Sequence, residues 1–350
     1  METIRLTQFS PGAGCGCKIS PGELEVILRC DDAPMYFANL LVGNESRDDA
    51  AVYDMGNGQA IMSTADFFTP IVDNAHDFGR IAAANALSDV YAMGGRPLMA
   101  IALLGWPLEK LPASLACEVV AGAREMCASA NIPLAGGHSV NIATPIFGLA
   151  VTGMVDSGQV KKNCTAQVGC KVFITKPLGI GLVTTAEKRG IVNSADAAEA
   201  LRLMTTLNVA GSDFAQISGV HAMTDVTGFG LLGHALEMAE SSGVQMILDY
   251  GRLPRVAGVD DYIARNCMPG GASRNWNSCS QKVTIGVTSG DVEKIKALVC
   301  DPQTNGGLLV AVEPDAVGDL QKAAQKTGTS LFELGYLAEH KRDEAWVRVD

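Results

Sequence analysis

The sequence lacks a long apolar run, a signal peptide and a surplus of positive charge. Without about twenty consecutive apolar residues or a cleavable leader, the chain is expected to stay off the membrane and in the cytoplasm. Its 27 Lys and Arg against 38 Asp and Glu give a net charge of -11, whereas nucleic-acid binding needs Lys and Arg clustered on one face. We therefore expect neither a membrane nor a nucleic acid among its partners.

Common nucleotide and metal fingerprints are also missing. There is no Gly-x-x-x-x-Gly-Lys-Ser/Thr run, which excludes a P-loop, and no protein-kinase signature set. Gly179-Ile180-Gly181 by itself is too short for a dinucleotide fingerprint. Cys15-x-Cys17 has no second pair at a spacing that suits structural zinc. The ten cysteines occur without a secretory signal, so we expect free thiols.

What the sequence does have near its start is the run Gly12-Ala13-Gly14-Cys15-Gly16-Cys17-Lys18. Glycine has no Cβ and adopts backbone conformations that are closed to other residues, so this loop can fold over a ligand. A thiol beside a lysine has a lowered pKa and more of the reactive thiolate. The ammonium group can neutralise phosphate, so the run predicts a nucleophilic, cationic loop.

Acidic residues recur beside short predicted elements in the first part of the chain. Residues 50–53 and 60–64 are apolar runs joined by a Gly-Asn-Gly turn, which predicts a β-hairpin. Asp48 and Asp49 stand just before its first strand, and Asp66 stands just after its second. Antiparallel pairing would therefore gather the three carboxylates at one end of the hairpin.

Two more aspartates stand at predicted helix ends. A helix over residues 78–93 carries Asn85 and Asp89 on one face, and a carboxylate near a helix C-terminus favours a compensating cation. Asp225 precedes a glycine-rich helix start, where backbone amides favour anions and the carboxylate can hold a metal that bridges to them. Each aspartate singly is better explained as a turn residue. The five together indicate a magnesium-nucleotide enzyme, because magnesium binds carboxylates together with phosphate oxygens.

The predicted elements from residue 50 to residue 155 run strand, strand, helix, strand, helix, strand, strand. This order is typical of an α+β, ferredoxin-like or split βαβ unit with its helices on one face of the sheet, and the bare face invites dimerisation. A polar linker over residues 156–169 leads to a second unit of α/β type. Gly136–Ser139, between two strands, predicts either a nest of backbone amides for a phosphate or a plain glycine turn.

Seven runs together resemble the selenophosphate synthetase (selenide, water dikinase) family over nearly the whole chain. They are Gly12–Lys18, Gly43–Val52, Thr64–Phe68, Ala86–Gly95, Gly136–Ser139, Thr224–Gly230 and Asp301–Thr304. The Asp-rich runs are shared with a wider superfamily of ATP-using enzymes that includes aminoimidazole ribonucleotide synthetase, thiamine monophosphate kinase and a hydrogenase maturation factor. The Cys-Gly-Cys-Lys loop separates this family from those relatives.

The resemblance implies that ATP, selenide and water are converted into selenophosphate, AMP and phosphate, for selenocysteine and selenouridine biosynthesis. It implies magnesium as the cofactor, a homodimer, and a selenium-delivery protein as a further partner. Residues 1–45 would form a mobile catalytic loop and arm. Residues 46–157 would form an ATP-binding α+β domain that pairs its sheet in the dimer, and residues 168–350 an α/β domain.

The resemblance also implies a role for each matching residue. Cys15 and Lys18 would be catalytic, and Asp49, Asp89 and Asp225 would bind magnesium. The expected nucleotide-binding positions are Lys18, Ser46, Arg47, Asp48, Asp66, Asp89, Gly137, His138 and Ser139.

Two departures from the family pattern are Asn305, where a serine is expected, and Pro11 before the loop; neither is expected to touch the chemistry. Cys15 is expected to handle selenium directly, with Cys17 auxiliary. Two other interpretations stay open. One is another ATP-dependent enzyme of the superfamily acting on a nitrogen or oxygen substrate. The other is a non-catalytic selenium or metal carrier that uses the two thiols, and it leaves the five aspartates unexplained.

Overall fold

The computed structural model describes residues 4–10, 14, 16, 18–19, 23, 26–27, 37–43, 48–286 and 291–350. Four residues with an expected role, Cys15, Cys17, Ser46 and Arg47, lie outside the described residues. Within the described ranges, every helix falls short of the length and apolarity that crossing a bilayer requires.

The first sheet has six described strands and contains the predicted hairpin. Its strands are β1 (Leu40–Val42), β2 (Ala51–Asp54), β3 (Gln59–Phe68), β4 (Arg96–Trp106), β5 (Leu134–Asn141) and β6 (Ile146–Asp156). They lie in the order β1-β2-β3-β6-β4-β5. Among the adjacent pairs of these described strands, β4 and β5 form the parallel one, and parallel neighbours need a crossover connection such as the helix between them. The predicted order of strands and helices is confirmed, with β1 as an addition.

Helices α1 (Ala75–Ala92) and α2 (Ala113–Ser129) follow β3 and β4 and pack against each other. Their backbones approach closely, because a Cβ at Gly79 would collide with the carbonyl oxygen of Val119 and one at Gly122 with that of His76. Helix α1 also packs on β3 and β6, and this explains why alternate β3 residues such as Met62 are fully buried.

The opposite face of this sheet is exposed and apolar. Phe67, Ile101, Met99 and Tyr53 project from β3, β4 and β2 and are each 43–50% exposed. In a folded chain an apolar patch of this kind is a feature of interaction sites.

Gly136, Gly137, His138 and Ser139 do not form the predicted nest or turn. They lie within β5, in parallel register with β4. The glycine permits this pairing, because a Cβ at Gly137 would collide with the carbonyl oxygen of Ala102. The prediction was wrong because two glycines indicate a turn from sequence alone, whereas here a glycine allows two strands to approach.

The second sheet has seven described strands and is mixed. Its strands are β7 (Lys171–Ile174), β8 (Val220–Asp225), β9 (Val244–Leu248), β10 (Val283–Ile285), β11 (Leu308–Val312), β12 (Phe332–Glu339) and β13 (Val347–Val349). They lie in the order β10-β13-β9-β12-β7-β11-β8. Every residue of β9 and β11 is buried, so this sheet, unlike the first, is covered on both faces.

Helices supply much of that cover. In chain order they are α3 (Ile180–Lys188), α4 (Ser194–Thr205), α5 (Ala210–Phe214), α6 (Gly230–Ser242), α7 (Val259–Ala264), α8 (Gly270–Cys279), α9 (Val292–Val299) and α10 (Val317–Lys326).

Helix α1 joins the two halves of the molecule. It packs on the first sheet and also contacts α4, α5 and β8 of the second half. Asn208 donates from Nδ2 to the Ser88 hydroxyl on α1 at 2.8 Å. Because α1 is enclosed from both sides, polar residues along it face the junction between the two halves, where β8 ends.

Candidate metal and nucleotide site

Three aspartates from separate elements meet at this junction. Asp49 comes just before β2, Asp89 lies near the end of α1, and Asp225 is the last residue of β8. One carboxylate oxygen from each lies within 4.8 Å of the others. Residues that are far apart in the sequence, and predicted as a set, therefore form one cluster.

The cluster brings three negative charges together in surroundings that are largely shielded from water. Asp225 is 1% exposed and Asp89 8% exposed. Burial, followed by repulsion from Asp225, raises the pKa of both Asp49 and Asp89 well above the ordinary value, and burial also raises the pKa of Asp225. Carboxylates that resist ionisation in this way are stabilised by a cation among them.

A divalent cation fits the donor set. Three carboxylates offer hard oxygen ligands, the type that magnesium prefers. The Oδ2 atom of Asp225 is buried and has no hydrogen-bond donor among the described residues. Leaving such a buried acceptor without a partner costs folding free energy. The arrangement of the three aspartates is therefore better explained by a bound metal than by packing in the core.

Hydroxyl groups orient the three carboxylates. Thr64 donates to Oδ2 of Asp89 at 2.6 Å, and Thr224 donates to Oδ1 of Asp49 at 3.1 Å. A hydrogen bond with Ser88 lowers the pKa of Asp225 in opposition to burial. The sequence interpretation missed these residues. For Thr64 a signal existed, because it shares the apolar, helix-covered face of β3 with Met62 and Phe68.

Lys18 lies at the edge of the cluster and pairs with Asp66. Its ammonium group is 3.0 Å from Oδ2 of Asp66, and its charge lowers the pKa of both Asp89 and Asp225. Asp66 is part of β3 rather than following it. The structure thus brings the loop lysine and one expected nucleotide-binding carboxylate beside the three aspartates.

The glycine loop contacts both halves of the molecule around this point. Gly14 donates its backbone N–H to the carbonyl of Thr69 at 3.2 Å, and Arg274 on α8 donates to the carbonyl of Gly16 at 2.7 Å. A cavity of about 130 Å³ lies between Gly16, Thr304 and helices α3 and α8. Gly16 of the loop therefore borders a cavity that is lined largely by residues of the second half.

Other expected site residues lie elsewhere. Asp48 turns toward the linker, where its Oδ1 accepts from the backbone N–H of Asn163 at 2.8 Å. Gly137, His138 and Ser139 are exposed on β5, at the far edge of the first sheet. The structure does not bring Gly137, His138 and Ser139 to the carboxylate cluster of their own chain, whereas Asp48 stays close enough for its charge to raise the pKa of Asp49.

Comparisons with known proteins give a consistent result. The family model for the AIR synthase related protein, N-terminal domain, matches residues 47–155, and that for the C-terminal domain matches residues 167–348. Selenide, water dikinase of Salmonella typhimurium is 55% identical over 349 residues, covering 99% of both chains. The protein of the same name from Cronobacter sakazakii is 57% identical over the same share of both chains.

Solved structures share the fold at low identity. Thiamine-monophosphate kinase from Stenotrophomonas maltophilia K279a matches with a TM-score of 0.66 and 21% identity, covering 94% of each chain. AaThiL complexed with AMPPCP and TMP matches with a TM-score of 0.65 and 18% identity, covering 100% of this chain and 96% of its own. With the identities above 50% to the dikinases, the chain belongs to the selenide, water dikinase family within the AIR synthase related proteins.

Proposed function

We propose that this protein converts selenide, ATP and water into selenophosphate, AMP and phosphate. Family membership supplies the reaction. The observation that supports it in this chain is the convergence of Asp49, Asp89 and Asp225 beside Lys18. Phosphoryl transfer asks the protein mainly for positioning and charge neutralisation, and this cluster offers both.

Magnesium is the metal we propose for the three aspartates. When bound, it would neutralise the triphosphate and orient its oxygens. Thr64 and Thr224 hold Asp89 and Asp49 by hydrogen bonds, so the carboxylates keep their directions before any metal arrives. The ammonium of Lys18 adds a positive charge at the edge of the site, where it would address phosphate.

The nucleotide is proposed to bind beside Lys18 and Asp66. Asp66 holds Lys18 in place. The other positions proposed to contact the nucleotide are Ser46, Arg47, Asp48, Asp89, Gly137, His138 and Ser139. We also propose the three segments 1–45, 46–157 and 168–350 as the functional divisions of the chain.

Selenium is proposed to be handled by Cys15, which lies outside the described residues, with Cys17 auxiliary. Two described neighbours of the thiols support this proposal. Gly16 borders the cavity between α3 and α8, and Lys18 lies at the edge of the carboxylate cluster. Selenide is a soft nucleophile that needs a water-poor site, and a thiol-bearing loop that closes over the reaction suits it.

Replacing each thiol tests this assignment. Cys15→Ser should abolish selenide-dependent AMP formation, whereas Cys17→Ser should keep most of it. Binding of magnesium-ATP, measured by calorimetry, should change in neither variant, so a loss of activity can be assigned to selenium handling. An active Cys15→Ser enzyme would contradict the assignment.

We further propose that the protein works as a homodimer built on the exposed face of the first sheet. Phe67, Ile101 and Met99 are each 43–50% exposed there, and burying such a patch against a second copy is favourable by roughly 25 cal/mol per Å². His138 shares this face, because it pairs in register with Leu103, which pairs with Gly148 and so stands in the same row as Phe67. A second copy seated on this face would therefore lie against His138.

A further inference from the structure

The first described residues of the chain are docked on the body of the protein, although none of them has a role in the proposed reaction. A short 3₁₀ helix, Leu6–Phe9, lies between the start of the chain and the glycine loop. Leu6 is fully buried in the hydrophobic core, and Thr7 is 5% exposed. A single turn of 3₁₀ helix has little stability of its own, so contacts with the rest of the protein must hold this segment.

Asp73 holds this segment with both oxygens of its carboxylate. Its Oδ1 accepts from the backbone N–H of Thr7 at 3.0 Å and from the Thr7 hydroxyl at 2.6 Å, and its Oδ2 accepts from Nε of Arg5 at 2.7 Å. Burial opposes ionisation of this carboxyl group, but the hydrogen bonds from Thr7 and Arg5 outweigh burial and lower the pKa of Asp73. The acceptor is therefore charged at neutral pH, which strengthens its hydrogen bonds.

The connection that carries Asp73 also binds the glycine loop. Asp73 belongs to residues 69–74, which join β3 to α1, and Ile71 in this connection is 5% exposed. Gly14 donates its N–H to the carbonyl of Thr69 at 3.2 Å. It also packs closely, because a Cβ on Gly14 would collide with the side chain of Ile71. The 3₁₀ helix and the glycine loop therefore dock on the same short connection.

The docked segment also lies beside the second half of the molecule. Burial and the charge of Asp73 raise the pKa of Glu187 on α3, and the charge of Arg5 opposes them. Lys188, the last residue of α3, reaches the carbonyl of Ser10 at 3.5 Å. Asp73 thus ties to the first half a segment that passes along α3 on its way to the loop.

The contact of Gly14 with Thr69 depends on such a tie. A single backbone hydrogen bond adds little net stability, because water competes for both of its partners. A second attachment a few residues away turns this contact into an intramolecular one with a high effective concentration. Since Thr7 precedes Gly14 by only seven positions, its bonds to Asp73 keep Gly14 close to its acceptor.

We propose that Asp73 is a positioning residue that docks residues 5–9 and thereby holds Gly14, the residue before Cys15, on the carbonyl of Thr69. Because residues 5 and 7 engage both carboxylate oxygens, Asp73 would act on the reaction only through the loop. Its effect on catalysis rests on the proposed function. The docking of Gly14 can be measured without the reaction.

Two pairs of variants separate docking from general stability. Asp73→Ala removes the acceptor for Arg5 and Thr7. Its control is Asp77→Ala, because Asp77 lies in the first turn of α1 and pairs with Arg80 instead. Thr7→Val keeps the shape of the side chain and the backbone N–H but removes the hydroxyl. Thr7→Ser keeps both donors and should therefore behave as the wild type.

The direct readout is hydrogen exchange at single backbone amides, measured without substrates. We expect the Gly14 amide to exchange about tenfold faster in Asp73→Ala, because local opening no longer has to break the anchor. It should exchange a few-fold faster in Thr7→Val, although neither substitution touches Gly14. Asp77→Ala and Thr7→Ser should match the wild type at this amide. The amides of β3 should exchange equally in all five proteins.

Two results of this measurement would overturn the positioning role. Faster exchange at the Thr7 amide with no change at Gly14 would show that the anchor acts only on its own segment. Faster exchange throughout β3 in Asp73→Ala and in Thr7→Val would show a general loss of stability instead of undocking.

The second readout is selenide-dependent AMP formation. Asp73→Ala should lower kcat several-fold with little change in KM for ATP, and Thr7→Ser should keep the activity that Thr7→Val loses. An unchanged kcat in Asp73→Ala would overturn the role of this docking in the reaction. A wild type that makes no AMP with selenide would instead overturn the proposed function, and exchange at Gly14 would still decide whether Asp73 docks the loop.

Discussion

Asp225 and His138 are both expected to serve one magnesium-nucleotide complex, yet the fold places them in opposite surroundings. Asp225 ends a buried strand and is 1% exposed, with two more carboxylates beside it. His138 lies on the edge strand β5, where seven of eight residues are exposed. The carboxylate cluster around Asp225 is built by residues of one chain, whereas the surface around His138 is exposed at the edge of the sheet.

Strand register shows how far apart the two regions are. Asp66 pairs with Leu149, Leu149 with Ala102, and Ala102 with Gly137, so Gly137 stands in the row of Asp66 but three strands away. Three strand spacings amount to about 14 Å. His138 points to the face opposite Asp66, because adjacent strand residues alternate. A single chain therefore gathers the three carboxylates proposed to bind the metal, and under the proposed function β5 would contact a nucleotide only with a second copy.

The largest expected effect comes from a substitution in the carboxylate cluster. Asp89→Asn should lower AMP formation by about 10²–10³-fold, because it removes one of the three carboxylates proposed to hold the cation that would neutralise the triphosphate. It should also weaken magnesium-ATP binding in calorimetry. Asp319→Asn, a surface control paired with Lys322, should change neither. Unchanged affinity in Asp89→Asn would remove Asp89 from the metal site.

A charge on the exposed face of the first sheet tests whether a second copy of the chain covers this face and His138. Ile101→Glu should convert a dimer into monomers in sedimentation velocity, because a buried unpaired carboxylate costs several kcal/mol. AMP formation should fall about tenfold or more with it. Val168→Glu, at an exposed apolar residue outside this face, should stay dimeric and active. A wild type that sediments as a monomer would contradict the proposed dimer.

His138→Ala gives a smaller and more selective effect. We expect KM for ATP to rise a few-fold with little change in kcat or in oligomeric state, because one exposed contact to the nucleotide is lost. His340→Ala, at a histidine stacked on Trp346 in the second half, is the matched control. An unchanged KM for ATP in His138→Ala would leave β5 without a part in nucleotide binding.

The smallest effect is on stability in the absence of substrate. The pKa values of Asp49, Asp89 and Asp225 are raised in the folded protein, so the folded state holds protons that the unfolded state releases. The free energy of unfolding without metal should therefore fall as pH rises from the ordinary carboxyl range through these raised values. Each carboxyl group that keeps its proton only in the folded state contributes a fall of up to about 1.4 kcal/mol per pH unit.

Magnesium should reverse this loss. The melting temperature at pH 8 should rise by a few degrees on adding magnesium to protein treated with a chelator, since a ligand that binds only the folded state stabilises it. Asp225→Asn should show a smaller pH dependence and a smaller response to magnesium. Identical curves for this variant and the wild type would show that the cluster does not bind the metal.

Five aspartates could be singled out from the sequence because each stands near a recognisable element boundary, and the family resemblance then selected Asp49, Asp89 and Asp225 among them. Hairpin pairing is local, and the ends of α1 and β8 carry clear signals. The supporting hydroxyls of Thr64 and Thr224 were not predictable with the same ease. Their importance depends on which residue faces them across the junction, and only the packed fold decides that.

Asn305 and Gly137 show two further limits. Asn305 looked like a departure of no consequence, but its left-handed backbone presents the N–H that orients Asn85. Gly137 looked like part of a turn, but it allows β5 to approach β4. In both cases the residue type was informative, and the sequence left open whether glycine or asparagine served a turn or a tertiary contact.

The most direct test of the proposed reaction is phosphorus NMR of the products that the purified protein makes from ATP, magnesium and selenide, with the Asp89→Asn variant alongside. We predict selenophosphate, AMP and phosphate in equal amounts, none of them without selenide, and almost none from the variant. Formation of ADP, formation of AMP without selenide, or full activity in Asp89→Asn would contradict the proposed reaction and its metal site.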